Sequence, residues 1–354
     1  MIENIIMIII GLILIYLGIF KEYEPLLLVP IGFGAILVNI PMSNIADIGG
    51  FLYYIHKYLL ETGIIPILIF IGIGAMTDFG PLISNPKSFL LGGAAQLGIF
   101  ISMILATLIG FNIKEAGAIG IIGSADGPTT IYTASKLAPH LLGPVAVAAY
   151  SYMALVPLIQ PPIIKLLTTK KERLVKMPQI TREVSKNEKI IFPIIITILS
   201  GIIVPSAVPL VGALMFGNLI RESGVTERLS RAAQNELIDV STILLGLGVG
   251  STMKAESFLN LNTIMIISIG AFAFATATMG GVIIGKIFYI LTKGKFNPII
   301  GAAGVSAVPM SARVVQKIAS KEDPENFLLM YAMGPNVAGI IGSAIVAGII
   351  ISMS

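Results

Sequence analysis

The sequence predicts an all-α polytopic membrane protein made of two inverted repeats, each with about five transmembrane helices plus one broken or re-entrant helix. Three observations predict this. Of 354 residues, 55% are hydrophobic and only 12% charged. Two stretches rich in Gly and Pro interrupt otherwise apolar sequence. The two stretches also match each other at constant spacing. A soluble domain carries about 25% charged residues, so this chain cannot coat a soluble surface. That excludes a cytosolic enzyme, a nucleic-acid binder and a disordered regulator; the expected surroundings are a lipid bilayer, with no nucleic acid. Cysteine is absent, which removes disulfides and thiolate chemistry. Only His56 and His140 are present, too few for a multi-histidine metal centre.

A span needs about 20 apolar residues, so the chain holds about ten to twelve of them. Apolar runs place them at 5–20, 26–40, 64–79, 88–111 and 141–167, then at 189–204, 206–220, 240–253, 260–290 and 325–352. The first run lacks a basic flank and a small-residue cleavage site, and reads as a retained span. Segment 43–62 is amphipathic and is expected along the membrane surface. Trp is absent, so tyrosines must supply any interfacial belt.

The two exceptional stretches are Ala116–Leu137, around Gly123-Ser124-Ala125-Asp126-Gly127-Pro128-Thr129-Thr130, and Asn297–Ile318, around Gly304-Val305-Ser306-Ala307-Val308-Pro309-Met310-Ser311. Gly and Pro at membrane depth free backbone groups, which is tolerated only inside protein or beside a wet cavity. Gly120, Gly123, Pro128, Lys136 and Tyr150 match Gly301, Gly304, Pro309, Lys317 and Tyr331, every pair 181 residues apart. The loop from Lys165 to Lys189 holds eight Lys/Arg and is expected to be cytoplasmic. Counting spans outward from it puts 19 of the 23 basic residues inside, with Lys57, Lys114, Lys136 and Lys254 outside. The first broken segment then enters from outside and the second from inside. Residues 1–167 form the first repeat, 168–188 the basic loop and 189–354 the inverted second repeat. Inverted repeats that meet at broken helices are a transporter architecture.

Asp126 is the one carboxylate deep within a membrane segment. A charge there costs about 2.5–3.5 kcal/mol or more and needs a partner or a watery path. With freed carbonyl and hydroxyl oxygens beside it, it suits an alkali cation. The plainer alternative is a protonated or lysine-paired Asp that only packs the fold. Arg313 follows the second break near its cytoplasmic end. It suits a carboxylate in bidentate geometry, or else it snorkels and sets orientation. Tyr152, in Tyr150-Ser151-Tyr152, is a cation or proton ligand or a core aromatic with a satisfied hydroxyl. Ser306, Asn297 and Asn336 supply neutral oxygens near the second break, or glue helices together. Gly246-Leu247-Gly248-Val249-Gly250-Ser251 lacks the lysine and the strand of a phosphate loop, and reads as a close helix contact. The histidines sit at predicted membrane edges, neither has a partner triad, and neither is assigned a role. Positive-inside bias already explains the basic loop, which is also suited to dock a soluble subunit.

Gly123-Ser124-Ala125-Asp126-Gly127-Pro128-Thr129 resembles the β subunit of the sodium-translocating biotin-dependent decarboxylases, the oxaloacetate, methylmalonyl-CoA, glutaconyl-CoA and malonate pumps. The likeness continues in Ser135–His140, Ala149–Pro157, Gly217-Asn218-Leu219, Phe296-Asn297-Pro298, Gly304–Met310 and Met333–Gly339. It covers nearly all of the chain from about residue 26. The resemblance implies a membrane subunit that decarboxylates carboxybiotin, drives Na+ from cytoplasm to outside and consumes a proton. It implies Na+ binding at Asp126, Na+ and proton handling at Tyr152 and Ser306, and ion-site roles for Asn297, Gly301 and Asn336. It makes Arg313 the candidate receiver of carboxybiotin. The implied partners are the carboxyltransferase α subunit with its biotin carrier and a small membrane γ subunit, in the cytoplasmic membrane of a prokaryote. Biotin is then carried on the partner and is not covalently bound here. A homo-oligomer stays open. The architecture alone equally fits a Na+-coupled secondary transporter of an organic anion, and a non-catalytic anchor is the third reading.

Overall fold

Apolar residues on nearly every face leave the backbone to satisfy itself, so the chain adopts helices and turns. The structure, a computed structural model, describes residues 2–178 and 182–353, and among these there is no strand. Among the described residues, four helical stretches are long and apolar enough to cross a membrane: Ile2–Phe20, Ser88–Ile109, Leu261–Leu291 and Leu329–Met353. Two bent pairs raise the number to six if each counts as one span. The protein is therefore a multi-pass membrane protein.

Several expected spans are shorter than a full crossing. Pro25–Asn39 and Val208–Glu222 have 15 residues each and Ile238–Ser251 has 14. At about 1.5 Å per residue they reach little more than 20 Å. Each is backed by another short helix at glycine contacts. A Cβ on Gly34 would lie 2.8 Å from the Leu247 carbonyl oxygen, and one on Gly217 would lie 1.9 Å from that of Ile71. Pro25–Asn39 thus packs on Ile238–Ser251, and Val208–Glu222 packs on Ile64–Met76. Each contact joins the first half of the chain to the second. Asn39 and Asn218 add amide bonds across them, to the Met253 carbonyl at 2.7 Å and the Thr77 carbonyl at 2.9 Å.

The expected span 141–167 is not one straight helix. It divides at Leu155 into Pro139–Ala154 and Val156–Leu167, bent by 66°. Pro157 causes this, because it lacks an N–H and its ring clashes with the preceding turn. The expected surface segment 43–62 contains Phe51–Tyr54 and a π turn over Ile55–Leu60, with Phe51, Tyr54 and Tyr58 exposed. It meets Ile64–Met76 at 66° through Gly63, whose φ of +80° suits glycine.

Both Gly/Pro stretches are broken, and both are buried at the centre. The first runs as Ile113–Gly120, a 3-10 turn Ile121–Ser124, left-handed Ala125, and helix Gly127–Leu137. The second is a 3-10 segment Pro298–Gly304, a non-helical stretch through Val308, and helix Met310–Glu322. The Ser306 N–H donates to the Ser124 carbonyl at 3.1 Å, so the two breaks are bonded backbone to backbone.

Candidate functional site

Asp126 is the N-cap of the helix after the first break, and it is 5% exposed. Its carboxylate accepts the Thr129 N–H at 3.2 Å, the Thr129 hydroxyl at 2.7 Å and the Ser343 hydroxyl at 2.7 Å. The Asp126 N–H in turn donates to the Ser124 hydroxyl at 3.2 Å. Among the described residues no Lys, Arg or His forms an ion pair with it. The charge is thus held by hydroxyls and by the positive end of a helix. No basic side chain competes with a cation for it.

The face opposite the break is closed by the last long helix, Leu329–Met353. One stripe of that helix touches both breaks. Asn336 donates its amide hydrogens to the Ala303 and Val305 carbonyls at 2.9 and 2.8 Å. Gly339 lies against the Gly304 carbonyl and the Ser306 hydroxyl, and Ser343 reaches Asp126. The i, i+3, i+7 spacing puts the three on one helical face.

Among the described residues, several buried oxygens here have no hydrogen-bond partner: the Ser306 hydroxyl, the Asn336 side-chain carbonyl and the Tyr150 hydroxyl. Tyr150 is 1% exposed, and its ring lies where a Cβ on Gly127 would sit, 2.1 Å away. Buried polar groups normally find a partner, so these three oxygens are exceptions among the described residues. Among the described residues no group of three or more His, Cys, Asp or Glu gathers as a metal cluster. One carboxylate with neutral oxygens suits a monovalent cation rather than a resident transition metal.

A cavity of about 460 Å³ reaches these groups except Asn336. Asp126, Tyr150 and Ser306 lie on its wall, with Val308 and Pro309 of the second break. Its other end is bordered by Glu24, Thr77 and Asp78. Asp78 pairs with Lys189 at 3.3 Å, so the cavity opens toward the face that bears the basic loop.

The other sequence-selected residues lie elsewhere. The Tyr152 hydroxyl donates to the Ile267 carbonyl, and its ring packs on Gly270, away from the cavity wall. Asn297 spends its amide hydrogens on the Arg173 and Val175 carbonyls at 3.0 and 2.8 Å, and its oxygen accepts the Ile299 N–H at 3.2 Å. Gly301 is pressed on the Gly281 carbonyl, 1.9 Å from where a Cβ would be. Arg313 is exposed on the first turn of Met310–Glu322 and forms no ion pair among the described residues. Each histidine contacts one glutamate: His140 reaches Glu115 at 2.9 Å and His56 reaches Glu61 at 3.5 Å. Sequence reasoning missed Thr129, Ser343 and the choice of Tyr150 over Tyr152 as the tyrosine at Asp126. A signal existed for Ser343, which stands seven residues after Asn336.

The profile of the family described as Na+-transporting oxaloacetate decarboxylase beta subunit matches residues 3–354. The methylmalonyl-CoA decarboxylase subunit beta of Veillonella parvula is 58% identical over 350 residues, covering 99% of this chain and 93% of its own. The glutaconyl-CoA decarboxylase subunit beta of Acidaminococcus fermentans is 57% identical over 350 residues, with the same coverage. The oxaloacetate decarboxylase beta chain of Klebsiella pneumoniae is 47% identical over 407 residues, covering 98% of this chain and 94% of its own. Matched by that profile over residues 3–354 and by relatives 47–58% identical across 98–99% of its length, the chain belongs to the Na+-transporting decarboxylase beta subunit family.

Proposed function

We propose that this chain is the membrane subunit of a primary Na+ pump that decarboxylates carboxybiotin and exports Na+ from the cytoplasm, consuming a proton. One observation carries the reading. Asp126, unpaired with any base, lies with the unpartnered Ser306 and Tyr150 hydroxyls on a cavity that ends where the two breaks bond. Asp126, Ser306 and Asn336 hold Na+ through one charged and two neutral oxygens. Asn297 and Gly301 fix the shape of the second break, and Tyr152 sets the position of the helix that carries Tyr150. Arg313 receives the carboxylate of carboxybiotin as the carrier arrives from the basic face. The N–CO2 bond of carboxybiotin then breaks, CO2 leaves, and the ureido nitrogen keeps the electron pair and takes the proton. Loss of that negative charge weakens Na+ binding and favours outward release.

The inverted repeat is part of this proposal. It is supported by the five matches at one spacing and by the crossed helix contacts between the halves. Orientation is supported by the grouping of charge. Lys136 bonds the Thr62 carbonyl and Lys254 pairs with Asp47 at one end, whereas Arg173–Glu322 and Lys286–Glu172 lie at the end of the basic loop. The biotin carrier of an α subunit and a small γ subunit are the proposed partners, and a prokaryotic cytoplasmic membrane is the proposed location.

The test is reconstitution of the complex in vesicles with biotinylated carrier, following CO2 release from carboxybiotin together with Na+ uptake. A pump does both, each requiring the other. A secondary transporter moves Na+ without decarboxylation, and an anchor does neither.

A further inference from the structure

The Pro25–Asn39 helix starts in a way that local chemistry does not favour. Its N-cap is Glu24, a residue type poorly suited to the position, and the side chain makes no capping bond. Its backbone is left-handed, φ 41° and ψ 58°, which is uncommon for a residue with a side chain. The Glu24 carbonyl still accepts the Leu27 and Leu28 N–H groups, at 3.0 and 2.9 Å. The helix is therefore started by the backbone while the carboxylate is left over. A non-capping glutamate at a helix start leaves its carboxylate free for another use; Glu22 shares the left-handed backbone, so what sets Glu24 apart is where its side chain stands.

That side chain stands at the cavity that ends at Asp126. Among the described residues it has no ion pair and no hydrogen bond, in contrast to Asp78 beside it, which is held by Lys189 and the Gly80 N–H. Tyr150, on the same wall as Glu24 and Asp126, has a buried hydroxyl with no partner among the described residues. The unpartnered Ser306 hydroxyl lines the same space. The rest of the wall is mostly Leu, Ile and Met. An apolar passage with a free carboxylate at one end, neutral oxygens midway and a second carboxylate at the base attracts cations and repels anions.

We propose that Glu24 is the first cation-binding carboxylate on the side of the basic loop, capturing Na+ at the mouth and passing it by the Tyr150 hydroxyl to Asp126. This rests on the Na+-pump reading above and adds the ion's way in. It also separates two ligands. Na+ enters past Glu24, whereas anionic carboxybiotin approaches by Arg313, which is not on this wall. The two reactants then reach the breaks without competing for one opening.

The test uses the whole complex reconstituted in vesicles, with Na+ varied on the face that receives carrier, reading CO2 release against Na+ concentration. Glu24→Gln is expected to raise the half-saturating Na+ concentration about fivefold, the effect of one lost charge at a wet opening. Glu24→Asp is expected to restore most of the affinity, and Tyr150→Phe to raise the half-saturating concentration as well. Glu22→Gln removes an equal charge from an exposed neighbour outside the cavity and is expected to change nothing. Unchanged Na+ affinity in Glu24→Gln overturns the proposal. So does an altered pH profile at unchanged Na+ affinity, which makes Glu24 a proton donor instead. A wild-type complex whose CO2 release needs no Na+ overturns the pump reading, and this inference with it.

Discussion

The Ser306 N–H donates to the Ser124 carbonyl at 3.1 Å, joining two chain breaks that are 182 residues apart in sequence. Both residues lie in non-helical or 3-10 backbone, where carbonyls and N–H groups are released from helical pairing. One freed donor meets one freed acceptor, and the Ala303 and Val305 carbonyls accept from Asn336. The breaks are therefore mutually dependent, and a shift of one changes the oxygens offered by the other.

Ser343 and Thr129 hold the Asp126 carboxylate in one orientation. A hydrogen bond to a charged group contributes about 1.5–3 kcal/mol. Ser343→Ala is expected to weaken Na+ binding roughly tenfold with the fold retained. Na+ titration of CO2 release measures this, and an unchanged half-saturating concentration would remove Ser343 from the site.

Gly301→Ala is expected to act through packing. Its Cβ would meet the Gly281 carbonyl at 1.9 Å, backbone against backbone, with no flexible side chain to yield. Such overpacking costs about 1–3 kcal/mol. Thermal unfolding in detergent should fall for Gly301→Ala and stay near wild type for Gly93→Ala, where a Cβ meets nothing within 4 Å.

Asn297 and Asn326 grip the same two carbonyls, Arg173 and Val175, from opposite ends of the second broken segment. The basic loop is thus fastened to that segment. Either Asn297→Ala or Asn326→Ala should speed tryptic cleavage between Lys170 and Lys176 several-fold, by an amount that reflects about 1–3 kcal/mol of lost hydrogen bonding. Equal protection in both variants would show that the loop is held by its ion pairs alone.

The same fastening should depend on pH. Burial raises the Glu172 carboxyl, but the Thr169 N–H and hydroxyl and Lys286 outweigh it and leave it below the usual carboxylate range. Asp323 is likewise lowered, by the Glu325 N–H and Lys176. A lowered carboxyl supports the folded loop above its ordinary pKa and loses that support as pH falls through the lowered value. Tryptic-site exposure, read by hydrogen exchange across 168–176, should be flat between pH 6 and 8, near neutrality, and rise in acid below the ordinary carboxylate range of about 4. Loss of protection already near neutrality would contradict the assignment.

Much of this was legible from residue type. Apolar length located the helices, and Gly and Pro located both breaks, because missing Cβ atoms and missing N–H groups act locally. The bend at Leu155 was equally local, since Pro157 announces it, but the long apolar run around it masked the break. What sequence spacing could not give was pairing across helices. Tyr150 and Tyr152 differ by two residues and so point to different sides of one helix, one toward Gly127 and one toward Ile267. Asn297 reads as an oxygen ligand in the sequence, whereas nothing there shows that its amide hydrogens go to the Arg173 and Val175 carbonyls and that its oxygen accepts the Ile299 N–H. Ser343 became visible only when the last helix was laid against Asp126.

Asp126→Asn tests the central claim most directly. The amide keeps the shape and removes the charge that is to bind Na+. In vesicles holding the complete complex and carboxylated carrier, the expected result is loss of Na+ uptake and of Na+-dependent CO2 release together. A variant that still accumulates Na+ at the wild-type rate would contradict the assignment of the ion to Asp126.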